Sequence, residues 1–321
     1  MRVRAFALFG SSLVACAATL GVIAAERAEP RSVVEAEYAF ASAAKPLGVR
    51  GAFLKFLAND SIVCTPQPVN GIESTAEGPA TADTLLWYPT HSQTADSGDL
   101  GYTTGPWTFR SADGKTEDFG TFLSVWRKQP DGAWRVVVDC GINHPKFAVA
   151  PVGLKVAASA SPSAMTASAA DRSDASAAKA IASSGNGSPS SAVSASPAPG
   201  SWKDPVAAAE ARFTASAARG AAAAFQEFAA PDARVLIRGS IPTVGAEPGA
   251  ALLSAQKLGA TWQHVFASES RDGMLGYAWG YIGEAQADKP GAVYINIWRR
   301  SKPGAPWQIV AQSLQMLPQK S

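Results

Sequence analysis

Val34, Tyr38 and Ala41, then Phe53, Phe56 and Leu57, place apolar side chains at three- and four-residue spacings, the period of a helix that buries one face. Two helices are therefore expected at the start of the unit. Further along, short β-rich runs over residues 61–65, 99–110, 118–128 and 134–141 read as strands, and a mixed segment over 82–88 reads as a helix. Asp113-Gly114 and Asp131-Gly132 separate the last three runs and supply the residue types that hairpin turns demand. Helices first and an antiparallel meander afterwards predict an α+β unit rather than alternating βαβ crossovers.

The pattern then returns. EAEYAFASAAKPLGVRGAFLKFLANDSIVC aligns with AAEARFTASAARGAAAAFQEFAAPDARVLI, matching Glu37 to Glu210, Phe40 to Phe213, Phe53 to Phe225 and Phe56 to Phe228 with one insertion near Pro46. Trp87 through Tyr102 aligns without gaps to Trp262 through Tyr277, and SVWRKQPDGAWRVVVD matches NIWRRSKPGAPWQIVAQ, bringing Trp126 onto Trp298 and Trp134 onto Trp307. Order, spacing and residue type agree across the whole unit, the signature of a duplicated module.

Length supports two domains, since 321 residues is about twice a common domain size. Hydrophobic residues make up 47% of the chain but charged residues only 17%, against about 25% in ordinary globular proteins. The deficit traces to Ala, Ser and Pro over residues 148–203, which contain too little apolar surface to offset the entropy of ordering and read as a disordered linker. The expected domains are thus 31–145 and 204–318.

The chain opens MRVRAFALFGSSLVACAATLGVIAAERAEP, two arginines followed by an apolar, small-residue run, which reads as a signal peptide over 1–25 and an exported, periplasmic product. A competing reading takes Leu13-Val14-Ala15-Cys16 as a lipobox and makes a lipoprotein attached at Cys16. An uncleaved leader would also anchor the chain in a membrane. The formal charge of +2 falls to balance once Arg2 and Arg4 leave, so no basic surface is available for nucleic acid. His91, His144 and His264 are not at metal-ligand spacing, and no phosphate-binding glycine loop or G-x-S-x-G elbow occurs. No metal and no cofactor are expected.

The helix pair, the G-Y-x-x-G-x-W-x-F run at residues 101–109 and the closing TFLSVWRKQPDGAWRVVVDCG resemble SnoaL-like, ketosteroid isomerase-like proteins of the nuclear-transport-factor-two-like superfamily. The resemblance covers both units. It implies two cone-shaped domains, each a strongly curved antiparallel sheet wrapped on N-terminal helices, with an apolar pocket at one end. Simple alternation puts Arg135, Val137 and Asp139 on one face of the last strand, with Trp134, Val136, Val138 and Cys140 on the other. If the Asp139 face lines the cone, its carboxyl gains a raised pKa suited to proton abstraction. Tyr102 would be an oxyanion donor and His91 an acid or base, against a core tyrosine and a surface-loop histidine. Trp87, Trp107 and Tyr102 are the candidate ligand-binding residues. Cys64 and Cys140 stay open between two buried thiols and a disulfide, which follows if the opening and closing strands are neighbours, as the resemblance implies.

No segment reproduces the isomerase catalytic motif, and Gln312 replaces Asp139 in the second copy, so any chemistry falls to the first. The functional expectation is a small apolar or amphipathic ligand in the first cavity. An acid–base enzyme of isomerase, dehydratase or cyclase type is the alternative, and a non-catalytic structural or dimerisation module a further one. The two cones are expected to pack through their sheets as an intramolecular pseudo-dimer, with Trp107, Phe122, Trp126, Trp279 and Trp298 at the interface.

Overall fold

A computed structural model describes residues 30–157, 205–283 and 291–317. The expected leader, residues 158–203 of the expected linker and residue 318 lie outside these ranges.

The first unit opens with helix α1 (Val33–Phe56), whose N-cap Ser32 accepts from Glu35 N–H. Gly48, with φ of 71°, interrupts it and divides it into the two expected segments. Strands β1 (Leu57–Cys64) and β2 (Pro68–Asn70) follow, then a short helix α2 (Gly71–Glu77) capped by Asn70 accepting from Glu73 N–H. The remaining strands are β3 (Thr84–Trp87), β4 (His91–Thr94), β5 (Leu100–Arg110), β6 (Glu117–Lys128), β7 (Trp134–Asn143) and β8 (Lys155–Val156). They form one sheet in the order β2-β1-β7-β6-β5-β4-β8, with β3 pairing β5, and only β1·β7 and β4·β8 are parallel.

The second unit has α3 (Pro205–Ala217), α4 (Ala221–Phe228), β9 (Ala229–Ile237), β10 (Thr243–Val244), α5 (Ala246–Ser254), β11 (Thr261–Glu269), β12 (Leu275–Gly283), β13 (Ala292–Arg299) and β14 (Gln308–Met316). Its sheet runs β10-β9-β14-β13-β12-β11, with β9·β14 parallel. This is the first sheet's order from β2 through β5, with β11 standing where β3 and β4 are split around Pro89 and with no described counterpart of β8. Helices and two mixed sheets make the chain α+β.

Each unit buries aromatic rings between helices and sheet. Phe40 meets Phe53, Phe56, Trp87 and Trp126 at ring centroids of 4.8–6.0 Å, and Phe213 repeats this with Phe228, Trp262 and Trp298. Such pairs contribute about 0.5–1.5 kcal/mol each beyond their buried area. A further cluster mixes the two units: Tyr102, Leu123, Val138 and Cys140 lie with Leu236, Trp279, Ile297 and Ala311. Polar links join them at its edge, including Arg127 Nη2 to Ser268 Oγ at 2.8 Å and Gly239 N–H to the Asn143 carbonyl at 2.7 Å.

Several sequence expectations change. Residues 82–88 contain strand β3, not a helix, because Thr84–Trp87 pairs along the far half of β5. The helix lies earlier, at α2, where Asn70 and Glu73 supply the cap. Strand β7 has a bulge at Val137: Trp126 pairs Val136 while Val125 pairs Val138. An extra residue inverts every face after it, so Trp134 and Val136 share the helix-facing side with Asp139, while Val138 and Cys140 join the cluster between units. Most of the aromatic residues expected at the interface also face the other way, because alternation along β5, β6 and β13 turns them toward the helices. Trp126, Trp298 and Phe122 lie in the helix-side cores and Trp107 packs against one of them, leaving Trp279 of those five in the shared cluster. Residues 148–157, expected to begin the linker, instead carry β8, which pairs with β4, and Pro151, whose carbonyl accepts from the Tyr88 hydroxyl.

Candidate functional site

A cavity of about 440 Å³ opens between α1 and the helix-facing side of the first sheet. Phe40, Phe53, Trp87, Trp107 and Phe122 supply most of its wall, and Asp139, Ser124, Asn143, Thr65 and the exposed Asp118 are its polar lining. Its size lies within the range of small-molecule pockets, roughly 300–1,000 Å³.

The floor is set by one row across the sheet. Val63, Asp139, Ser124 and Thr103 are successive partners on β1, β7, β6 and β5. Ser124 Oγ–H donates to Asp139 Oδ1 at 2.9 Å. Burial pushes the Asp139 carboxyl up to about 6, the serine hydrogen bond offsetting part of that rise. The group therefore exchanges its proton near neutrality, accepting a hydrogen bond when ionised and donating one when not.

Behind this row Glu37, fully buried on α1, accepts from Trp87 Nε1–H at 2.6 Å, Trp126 Nε1–H at 2.9 Å and Thr103 Oγ1–H at 2.6 Å. Burial raises its pKa to about 7 against those hydrogen bonds, with the nearby Asp139 charge adding to the rise. Glu37 was not singled out for function in the sequence. The available signal was an acidic residue within the apolar stripe Val33, Ala36 and Phe40, all buried. In the second unit Glu210 accepts from Asn296 Nδ2 and Trp298 Nε1, and Gln312 Nε2 donates to Asn296 Oδ1 at 2.8 Å. Amides thus occupy the positions of Ser124 and Asp139.

Space differs between the units as well. Gly141 pairs with Phe122 as Leu314 pairs with Tyr294. A Cβ on Gly141 would stand 3.1 Å from Trp107 Nε1, on the cavity wall, whereas Leu314 is fully buried in its own core. Glycine at this strand position leaves open the volume that leucine fills.

Of the sequence candidates, Asp139, Trp87 and Trp107 meet at this cavity. Tyr102 and His91 do not. Tyr102 follows the opposite face of β5 into the cluster between units, and His91 sits on β4 as a buried strand residue rather than in a surface loop. Their mutual hydrogen bond, His91 Nε2 to Tyr102 Oη at 3.0 Å, leaves Asp139 without either helper. Alternation separates them, since β5 turns Thr103 toward Glu37 and hence Tyr102 away. Cys64 and Cys140, adjacent on the parallel β1·β7 pair, form a disulfide with Cα atoms 4.9 Å apart. Among the described residues no group of three or more His, Cys, Asp or Glu could hold a metal ion, and no helix is long and apolar enough to cross a membrane.

The fold and cavity define a class, an α+β protein of two like units in which the first carries a largely aromatic pocket with one buried carboxylate, Asp139. No protein-family model and no curated protein matches the chain. Solved structures similar to it are NTF2-like and ketosteroid isomerase-like proteins. An NTF-2-like protein of unknown function from Shewanella oneidensis is 14% identical, over 34% of this chain and 94% of its own, at a TM-score of 0.29. An NTF2-like protein with a cystatin-like fold from Novosphingobium aromaticivorans is 18% identical over 36% and 82% at 0.28, and a ketosteroid isomerase-like protein from Erwinia carotovora atroseptica 16% over 35% and 93% at 0.28.

Proposed function

We propose that this chain is an exported protein, built by duplication of one module, that binds a small apolar or amphipathic molecule in the cavity of its first unit. The observation that carries the reading is a buried carboxylate, Asp139, set in a largely aromatic pocket of about 440 Å³ whose other aspartate, Asp118, is exposed. Aromatic walls take up the apolar body of the ligand, and Asp139 with Ser124 fixes a polar end that donates a hydrogen bond. The second unit, with Gln312 and Leu314 at the corresponding positions, acts as the scaffold. The leader pattern and the Cys64–Cys140 disulfide both support a destination outside the reducing cytoplasm.

Native mass spectrometry of the mature protein purified from its own compartment tests this reading. A co-purifying small molecule that Gly141→Leu expels supports it. A ligand-free protein whose tryptophan fluorescence responds to no apolar compound sinks it.

One observation favours a second reading. A carboxyl whose proton equilibrium lies at about 6 is suited to general-base work. Deuterium exchange into an enolisable ketone, followed by NMR and lost in Asp139→Asn, would establish proton abstraction. Exchange equal in the variant and the parent would eliminate it.

A further inference from the structure

A second cavity, of about 310 Å³, lies between the units, on the side of β4 and β5 away from Asp139. Its walls come from β4 and residues 147–155 of the first unit and from β9 and β10 of the second. Two cationic side chains line it, Arg234 and Lys155, together with His91 and Thr243.

Two polar atoms of these lining residues are unspent. His91 Nδ1 and Thr243 Oγ1 are both buried and have no hydrogen-bond partner among the described residues. Buried polar groups are nearly always paired, so a pair of orphans at one cavity asks for an explanation. The tautomer of His91 sharpens it. Among the described residues, the Tyr102 hydroxyl has one partner, His91 Nε2. A buried phenol donates when it can, so Nε2 accepts and the ring proton belongs on Nδ1. Burial, with the positive charges of Arg234, Arg299 and Lys155 and against that of Asp232, holds His91 neutral, down to about 4. The ring therefore offers a single N–H donor, at the unpaired nitrogen.

The residues lining the cavity thus carry an ammonium, a guanidinium, an imidazole N–H and a hydroxyl, three of them donors only. The neighbouring carboxylate, Asp232, is engaged elsewhere: its Oδ1 pairs with Arg299 at 3.1 Å, and Arg234 reaches its main-chain carbonyl at 3.2 Å. Pro151 and Val244 add apolar walls.

We propose that this inter-unit cavity binds a small oxyanion, a carboxylate or phosphate group carried on a short apolar body, held by Arg234, Lys155, His91 Nδ1–H and the Thr243 hydroxyl. The site exists only when both units are in place, because neither supplies the two cations alone. Edge strand β8 contributes the lysine, so the ligand also ties that edge of the first sheet to the second unit.

The test is calorimetric titration of the mature two-unit chain with sodium phosphate and, separately, sodium hexanoate. Saturable one-site binding of either supports the proposal, and the preferred titrant identifies the head group. Arg234→Ala and Lys155→Ala should each weaken binding by about ten-fold or more, as loss of a charge-assisted hydrogen bond implies. Lys115→Ala, which removes one exposed cation from a distant turn, should leave affinity unchanged. Lys155 is exposed, so Lys155→Gln keeps the test valid even if changes at Arg234 disturb folding. No binding of either titrant at about 10 mM, far weaker than ordinary ligand affinity, overturns the proposal. So does binding that the Arg234 and Lys155 variants leave intact.

Discussion

The backbone N–H of Ser97 donates to Asp272 Oδ2 at 2.7 Å across the contact between the two units, and the two residues stand 175 positions apart. That separation is the one that carries Trp87 onto Trp262 and Tyr102 onto Tyr277, so Ser97 touches its own counterpart. A residue meets its counterpart only near a two-fold axis, as in an isologous dimer interface. Beside it Arg271 closes on Asp99, N–H to Oδ2 at 3.1 Å and Nε to Oδ2 at 3.3 Å. An intramolecular pseudo-dimer is the arrangement we propose from these contacts, its apolar centre the cluster around Trp279.

Trp279→Asp should part the two units without emptying either helix-side core, because its indole is buried with Tyr102, Leu123 and Val138 rather than with Phe213. Small-angle scattering is expected to change from a compact particle to an extended two-lobed one while the circular dichroism of each unit is retained. A variant that scatters like the parent contradicts the interface.

Stability is expected to fall, not rise, between pH 5 and pH 8. Glu37 goes from an ordinary 4.5 to about 7 on folding, and Glu210 and Asp139 rise to about 6, in each case chiefly through burial. Between the two values the unfolded chain has released a proton that the native one keeps, so raising the pH favours unfolding. The stabilisation is complete below about 4 and is lost through about 6 to 7. For Glu37, with its carboxylate wholly buried, the effect is on the order of 3 kcal/mol. Urea midpoints should be higher at pH 5 than at pH 8, and Glu37→Gln should flatten the slope. A midpoint that climbs over this interval means that burial does not hold these carboxyls above their unfolded values.

Reduction should cost the first unit much of its stability. The disulfide closes a loop with a sequence separation of 76, for which chain entropy gives roughly 4 kcal/mol. Unreduced peptide mapping should recover Cys64 joined to Cys140, and the Cys64→Ala/Cys140→Ala double variant should unfold at lower denaturant. Equal midpoints for parent and double variant would show that the bridge adds nothing.

Gly141→Leu places in the first unit the residue the second carries at Leu314, directly against Trp107. Ligand-dependent quenching of tryptophan fluorescence should disappear, whereas Asp139→Asn should weaken only ligands with a hydrogen-bond donor. If Gly141→Leu binds as well as the parent, the ligand lies elsewhere.

Periodicity and repetition were enough to read the helix pair before the sheet, the α+β class and the correspondence of Glu37, Phe40 and Trp126 with Glu210, Phe213 and Trp298. These follow from local spacing, which every helix and strand must obey to bury one face. Tertiary structure decided the rest. The bulge at Val137 depends on how β7 registers against β6, and it alone determines that Asp139 shares the helix-facing side with Val136. The cavity depends on Gly141 facing Phe122 across two strands, and the disulfide on β1 lying beside β7, contacts between segments far apart in the chain. His91 and Tyr102 were legible as chemically able side chains but not as partners facing away from Asp139. A sequence gives the residue type at each position, while the face it takes after a bulge, and what it meets there, is set by packing between distant strands.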